Sequence, residues 1–301
     1  MYSGDFLIEK EYIEKYTHFQ NNIYYVADLM NDNAMFTDSD RISLDTCGTY
    51  LSFGITDKNE IRLTGSNFCR KRYCPMCQWR KSEKQFSNCL KLADVLENKG
   101  YRFLHLVLTV PNCAGGLDLI NTIKKMNYAF AKFIKHKEIK RAYKGIMRCL
   151  EISYNYDTHL FHPHYHCLIA VKSSYFNNPK HYIKHSVIVD LWTKSYNSNI
   201  PLQCSVGAIK GDDKLGFAEV SKYCIKPLDF EKGNRAENAY IIYTLAYTLK
   251  GNRFIQTYGV IKDELKKIKD DNEVTDIIEQ VFEYKWNFGT HNYEKVGNNE
   301  K

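Results

Sequence analysis

The chain has 301 residues, a net charge of +7 and ten cysteines, enough length to bury a substantial core and only a modest basic excess. The longest apolar runs, near Phe103–Val110 and Tyr240–Leu249, are too short to span a bilayer, and the N-terminus lacks a signal-peptide h-region. A cytoplasmic protein with no membrane partner is therefore expected, its cysteines reduced or metal-bound rather than in disulfides.

In chain order, residues 1–46 are polar and broken by Asn and Asp, and read as a loosely packed arm. Residues 47–95 hold clustered cysteines and a basic patch. From Arg62 to Lys84 there are seven basic residues against Glu83 alone. Cys69, Cys74 and Cys77 approach metal-ligand spacing, and Cys47 supplies a fourth thiolate for a small structural Zn²⁺ site; the competing reading is buried free thiols. Arg70, Lys71, Arg72, Arg80 and Lys81, interleaved with Trp79, could grip phosphates and stack unpaired bases, against the alternative of a solvated basic surface.

Residues 96–230 read as one α+β domain. Tyr101–Val110 is rich in aromatic and β-branched residues, closes at Pro111 and predicts a buried strand. Leu117–Arg141 has helical apolar spacing. Arg148–Asn155 and His164–Val171 predict an antiparallel hairpin, residues 180–197 a helix, and Leu202–Ile209 a further strand. Gly216–Lys226 predicts a short helix ended by Pro227. The order β-α-β-β-α-β implies an antiparallel sheet with helices on one face. Residues 231–301 read as mostly helical, with Lys262–Val281 a charged amphipathic helix.

Two segments carry chemistry. His162, His164 and His166 alternate on a strand and so share one face, where imidazoles can converge on a cation. Glu151 on the neighbouring strand can face them across the ladder, and His162 is either a ligand or a group that orients one. Two histidines and a carboxylate with open positions suit Mg²⁺ or Mn²⁺ beside a phosphate, or zinc for ordinary hydrolysis. Downstream, Glu219 and Tyr223 stand at i and i+4 on one helix face, with Lys222 and Lys226 nearby. A phenol is a weak nucleophile at neutral pH, and a neighbouring ammonium favours the phenolate. On its own this helix reads as half-buried packing; the histidine strand upstream singles out Tyr223.

Taken together, these residues resemble the plasmid rolling-circle replication initiators of the HUH endonuclease superfamily, in the branch with a single catalytic tyrosine. The resemblance spans about residues 45 to 265. It is carried by five places: Phe103-Leu104-His105-Leu106-Val107-Leu108-Thr109-Val110-Pro111-Asn112, His162-Pro163-His164-Tyr165-His166, Glu219-Val220-Ser221-Lys222-Tyr223 with Lys226, the cysteine segment Asn67–Arg80, and Tyr258-Gly259-Val260-Ile261-Lys262. It implies a bacterial, plasmid-encoded enzyme acting at a hairpin or single-stranded nick site in origin DNA. It further implies a 5′-phosphotyrosyl link at Tyr223, a free 3′-hydroxyl primer, and termination assisted by Glu219. Host helicase and replication polymerase follow as partners, and a homodimer is admitted. The alternatives are a single-tyrosine transposase of the same superfamily and a non-catalytic, zinc-stabilised DNA-binding regulator.

Overall fold

The computed structural model describes residues 8, 12–31, 36–210, 214–221, 232–271 and 278–296. In chain order the elements are α1 (Glu14–Asn31), α2 (Asp38–Asp45), β1 (Tyr50–Thr56), β2 (Ile61–Ser66), α3 (Pro75–Asn98), β3 (Tyr101–Thr109), α4 (Leu117–Phe133), α5 (Lys137–Ala142), β4 (Tyr143–Asn155) and β5 (Leu160–Lys172). They continue with α6 (Ser174–Asn177), α7 (His185–Tyr196), β6 (Cys204–Ile209), α8 (Lys214–Ser221), α9 (Arg235–Leu249), β7 (Ile255–Tyr258), α10 (Gly259–Asp271), β8 (Ile278–Asn287) and β9 (Asn292–Lys295). The chain is α+β and folds as two compact units. No helix among the described residues is long and apolar enough to cross a membrane.

The first unit comprises Met1–Arg80, Gly233–Ala246 and Val274–Lys301. Its sheet has the order β2-β1-β8-β9, with antiparallel neighbours. The segment expected to be a loose arm contributes two helices to it. α1 buries Tyr16, Ile23, Val26 and Met30 at helical spacing. α2 opens with a capping box in which Thr37 and Asp40 satisfy each other's backbone N–H. Phe53 of β1 packs edge-on against Tyr16 and Tyr284.

The expectation of a mostly helical C-terminal region is corrected. Beside α9 and α10 it holds three strands, and β8 lies between β1 and β9. The physical reason is a change of period. Helical spacing stops with α10, and from residue 282 Phe282, Tyr284 and Trp286 alternate with polar residues, placing Tyr284 and Trp286 in the core.

The second unit comprises Lys81–Lys232 and Tyr247–Glu273. It contains the expected β-α-β-β-α-β order, with β7 added at the edge of a five-stranded antiparallel sheet of order β6-β3-β5-β4-β7. β4 and β5 are longer than their sequence suggested. Pro163 is tolerated in the central strand β5 because the ladder to β3 ends at the Thr109–His164 pair.

Helices cover both faces of this sheet, not the single face expected. On one face, residues of α3 (Cys89, Leu92, Leu96), α8 (Phe217, Val220) and α10 (Ile261, Leu265) pack on Phe103, Met147 and Leu168. On the other, Phe130 of α4 and Trp192 of α7 pack against Tyr165, and Trp192 Nε1–H donates to the Thr109 carbonyl at 2.7 Å. The reason lies in the strands. Phe103 and Leu104, like Cys167 and Leu168, are buried at consecutive positions, so each face presents apolar surface that must be covered.

Candidate functional site

Alternation along β5 puts His162, His164 and His166 on one face of the sheet, and the hairpin register sets Glu151 of β4 directly opposite His164. His164, His166 and Glu151 are buried. Their donor atoms converge. His164 Nε2 lies 3.1 Å from His166 Nε2, while Glu151 Oε2 lies 2.9 Å from His166 Nε2 and 3.6 Å from His164 Nε2.

The surrounding hydrogen bonds decide which nitrogens face inward. His164 Nδ1 is 3.1 Å from the His162 carbonyl oxygen. A carbonyl only accepts, so Nδ1 carries the proton and the Nε2 of a neutral ring keeps its lone pair. His166 Nδ1 is engaged by His105 Nε2 at 2.9 Å; with His166 as donor, its Nε2 also keeps a lone pair. Two lone pairs and a carboxylate oxygen then meet in one spot, a set that a cation satisfies. Donors bound cis in an octahedron at about 2.1 Å are about 3.0 Å apart, and in a tetrahedron about 3.4 Å. The separations fit a divalent ion and leave coordination positions open. Burial pushes the Glu151 carboxyl up, but hydrogen bonds and charge from His164 and His166, when these rings are protonated, outweigh it and hold the group well below the usual carboxylate range; a cation would supply the same positive charge to the neutral rings.

His162 is not in this cluster. Its Nδ1 pairs with Asn112 Oδ1 at 2.6 Å, and it reaches His164 through its own backbone carbonyl. His105 received no role from sequence. Its place on the same face as His166 depends on the β3–β5 register, in which it lies diagonal to His166. The available signal was its parity with Phe103 and Val107 on β3.

Tyr223, Lys222 and Lys226 lie outside the described residues. The helix that leads to them, α8, is described. Phe217 meets Phe103 edge-on, with ring centroids 5.5 Å apart, and Phe103 shares a sheet face with His105. α8 therefore packs on the same side of the sheet as the histidines, and Glu219 on it is half-buried.

Cys47, Cys69, Cys74 and Cys77 form a second convergent set, in the first unit. Cys47 Sγ is 3.5 Å from Cys74 Sγ and 3.6 Å from Cys77 Sγ, and Cys69 Sγ is 3.7 Å from Cys77 Sγ. Four sulfurs around a zinc with bonds of about 2.3 Å would be about 3.8 Å apart. Backbone N–H groups of Cys69 and Arg70 donate to Cys47 and Cys77 sulfurs at 3.3 and 3.2 Å. Hydrogen bonds from Cys47, Cys74 and Cys77 pull the Cys69 thiol far below the ordinary range.

The basic residues near this cluster are divided. Arg70 and Lys81 are exposed and Arg72 half-buried. Lys71 is paired with Asp40 at 2.7 Å. Arg80 lies 4.1 Å over the Phe68 ring. Trp79 stacks on Phe19 at 4.5 Å and meets Tyr16 edge-on, so its ring is engaged in packing.

A family model described as "Replication protein" matches residues 60–294. A relative named "Protein rep" from Lactiplantibacillus plantarum is 32% identical over 241 residues, covering 77% of this chain and 74% of the relative. "Protein rep" from Staphylococcus aureus is 35% identical over 190 residues, covering 62% and 82%. "Protein rep" from Bacillus amyloliquefaciens is 30% identical over 285 residues, covering 83% of each. No solved structure matches the chain.

Proposed function

The chain belongs to this family of replication proteins, and on that premise we propose that it initiates plasmid replication by nicking origin DNA with Tyr223. The reading is carried by one observation: Glu151, His164 and His166 converge on the sheet face that also receives the helix leading to Tyr223.

In this reading the three residues hold Mg²⁺ or Mn²⁺, which when bound stabilises negative charge developing on a phosphate oxygen. His105 and the His162 carbonyl keep the imidazoles turned with Nε2 inward. The Tyr223 oxygen attacks phosphorus, the P–O3′ bond breaks, and a 5′-phosphotyrosyl ester and a free 3′-hydroxyl result. One phosphodiester replaces another, so the bond energy is retained for rejoining. Lys222 and Lys226 favour the phenolate, and Glu219 serves as general base for the second cleavage that ends replication. The four cysteines hold a structural Zn²⁺, a role supported by their sulfur spacing.

The test is incubation of end-labelled, single-stranded origin oligonucleotide with the protein and Mn²⁺. A covalent adduct on the 5′ end of the downstream fragment is expected, lost in Tyr223→Phe and in the double variant His164→Ala/His166→Ala. An undiminished adduct in Tyr223→Phe would refute the assignment. Glu219→Ala should nick normally and terminate poorly; equal loss of both activities would remove its separate role.

A further inference from the structure

The largest concentration of positive charge in the second unit lies on the helices that cover the sheet face opposite to Glu151, His164 and His166. Between residues 117 and 144 there are eight basic residues against Asp118 and Glu138, a net +6 in a chain of net +7. On α4, Lys124, Tyr128 and Lys132 follow at i+4 spacing, Lys135 continues the row past the helix end, and all four are exposed. The opposite side of α4 buries Ile123, Met126, Phe130 and Phe133. Helical period thus sets the lysines in one solvent-facing row on a packed apolar back. α5 repeats the arrangement, exposing Lys137, Lys140 and Arg141 while burying Ile139 and Ala142. His136 at the bend is tied to Ser195 of α7 at 3.1 Å, which fixes the two helices' junction.

Neither acid neutralises this row. Asp118, at the start of α4, accepts the Ala114 backbone N–H at 2.9 Å. Glu138 stands in the first turn of α5, where the helix dipole favours an anion. Like charge on two successive helices repels itself unless a polyanion offsets it. Lys124 to Lys132 spans about 12 Å of helix, and duplex DNA carries about seven phosphate charges over that length. Lysines are point charges suited to phosphates and do not read base edges. Tyr128, 65% exposed, lies in the row with Lys132 Nζ 4.4 Å over its ring. α4 packs on the sheet face opposite to Glu151, His164 and His166.

We propose that the α4–α5 surface is a second DNA-contact surface, gripping duplex phosphates of any sequence on the side of the five-stranded sheet away from the histidine cluster. The choice of DNA as the polyanion rests on the replication reading above.

The test measures binding of the full chain to a short duplex without origin sequence, by fluorescence anisotropy across a salt series. In Lys124→Gln/Lys132→Gln/Lys135→Gln the slope of log affinity against log salt should fall by about two to three, at about 0.9 per lost phosphate contact. Affinity at physiological salt should fall at least about tenfold, with thermal unfolding unchanged because all three side chains are exposed. A control, Lys250→Gln/Lys266→Gln/Lys267→Gln, removes equal charge elsewhere on the unit and should change the slope far less. An unchanged slope in the first variant, or an equal loss in the control, would overturn the proposal. Tighter, lysine-dependent binding to phosphatidylserine vesicles than to duplex would overturn DNA as the partner. The first variant should still form the Tyr223 adduct on a short single-stranded oligonucleotide. If the unmodified protein forms no adduct while duplex binding still depends on these lysines, the nicking reading fails and the surface stands.

Discussion

Gly259→Ala should destabilise the second unit far more than an ordinary glycine substitution. Gly259 has φ +56 and forms a bridge with Gly145 of β4. A Cβ there would be driven into the carbonyl oxygen of Lys144, with Lys144 C at 3.1 Å and Gly145 Cα at 3.3 Å. The left-handed backbone alone costs an alanine about 1–2 kcal/mol. Relieving the overlap needs a backbone shift of about 1 Å, which pulls α10 and the fully buried Ile261 away from β4; together these should cost about 3–5 kcal/mol. For a unit of this size that lowers Tm by about 6–20 °C. Gly251 provides the comparison. It has φ +76 but nothing within 4 Å of its would-be Cβ, so Gly251→Ala should lose only the conformational part. Urea unfolding of both variants, followed by circular dichroism at matched m-values, isolates the steric part. Equal losses in the two variants would refute it. Because β4 also carries Glu151, Gly259→Ala should in addition weaken divalent-metal binding in protein that remains folded.

Removing His105 by His105→Ala should lower Mn²⁺ affinity about 10–100-fold, read by titration, since it frees the His166 ring to rotate; unchanged affinity would show that His166 needs no such partner. Metal analysis of the purified protein should find about one zinc per chain, lost in Cys47→Ser and kept in Cys204→Ser. Full zinc content in Cys47→Ser would exclude Cys47 as a ligand. Asp40 links α2 to Lys71, whose hydrogen bond holds the carboxyl down to about 2. A depressed carboxylate stabilises the fold fully above its unfolded pKa of about 3.9, and that contribution is lost as pH falls through about 2. Discounted for partial exposure, Asp40→Asn should cost about 1 kcal/mol at pH 7 and nearly nothing at pH 2, in denaturant titrations at both pH values. A pH-independent cost would assign the effect to capping instead.

The strand and helix order of the second unit was legible in the sequence because its elements obey local periods. Tyr101–Val110 read as a buried strand from its aromatic and β-branched content and the closing proline, and the alternating histidines of β5 fixed their shared face as soon as a strand was assumed. Glu151 was reachable by the same reasoning, since a hairpin brings opposing positions together. The cysteine spacing named three thiolates and proposed Cys47, whose sulfur position depended on the fold between residues 47 and 74. Tertiary structure alone decided the rest. His105 meets His166 only through the register of β3 on β5, a long-range pairing that no local pattern encodes. Helices on both sheet faces, and strands β8 and β9 joining a sheet begun near the N-terminus, depend on contacts between distant segments. Trp79 read as a base-stacking ring from its basic neighbours, yet it packs on Phe19 because α1 supplies an aromatic surface that local sequence does not reveal. The lysine row on α4 combines both levels. Its spacing is written in the sequence, and its orientation away from the histidine cluster follows from which face of the sheet α4 covers.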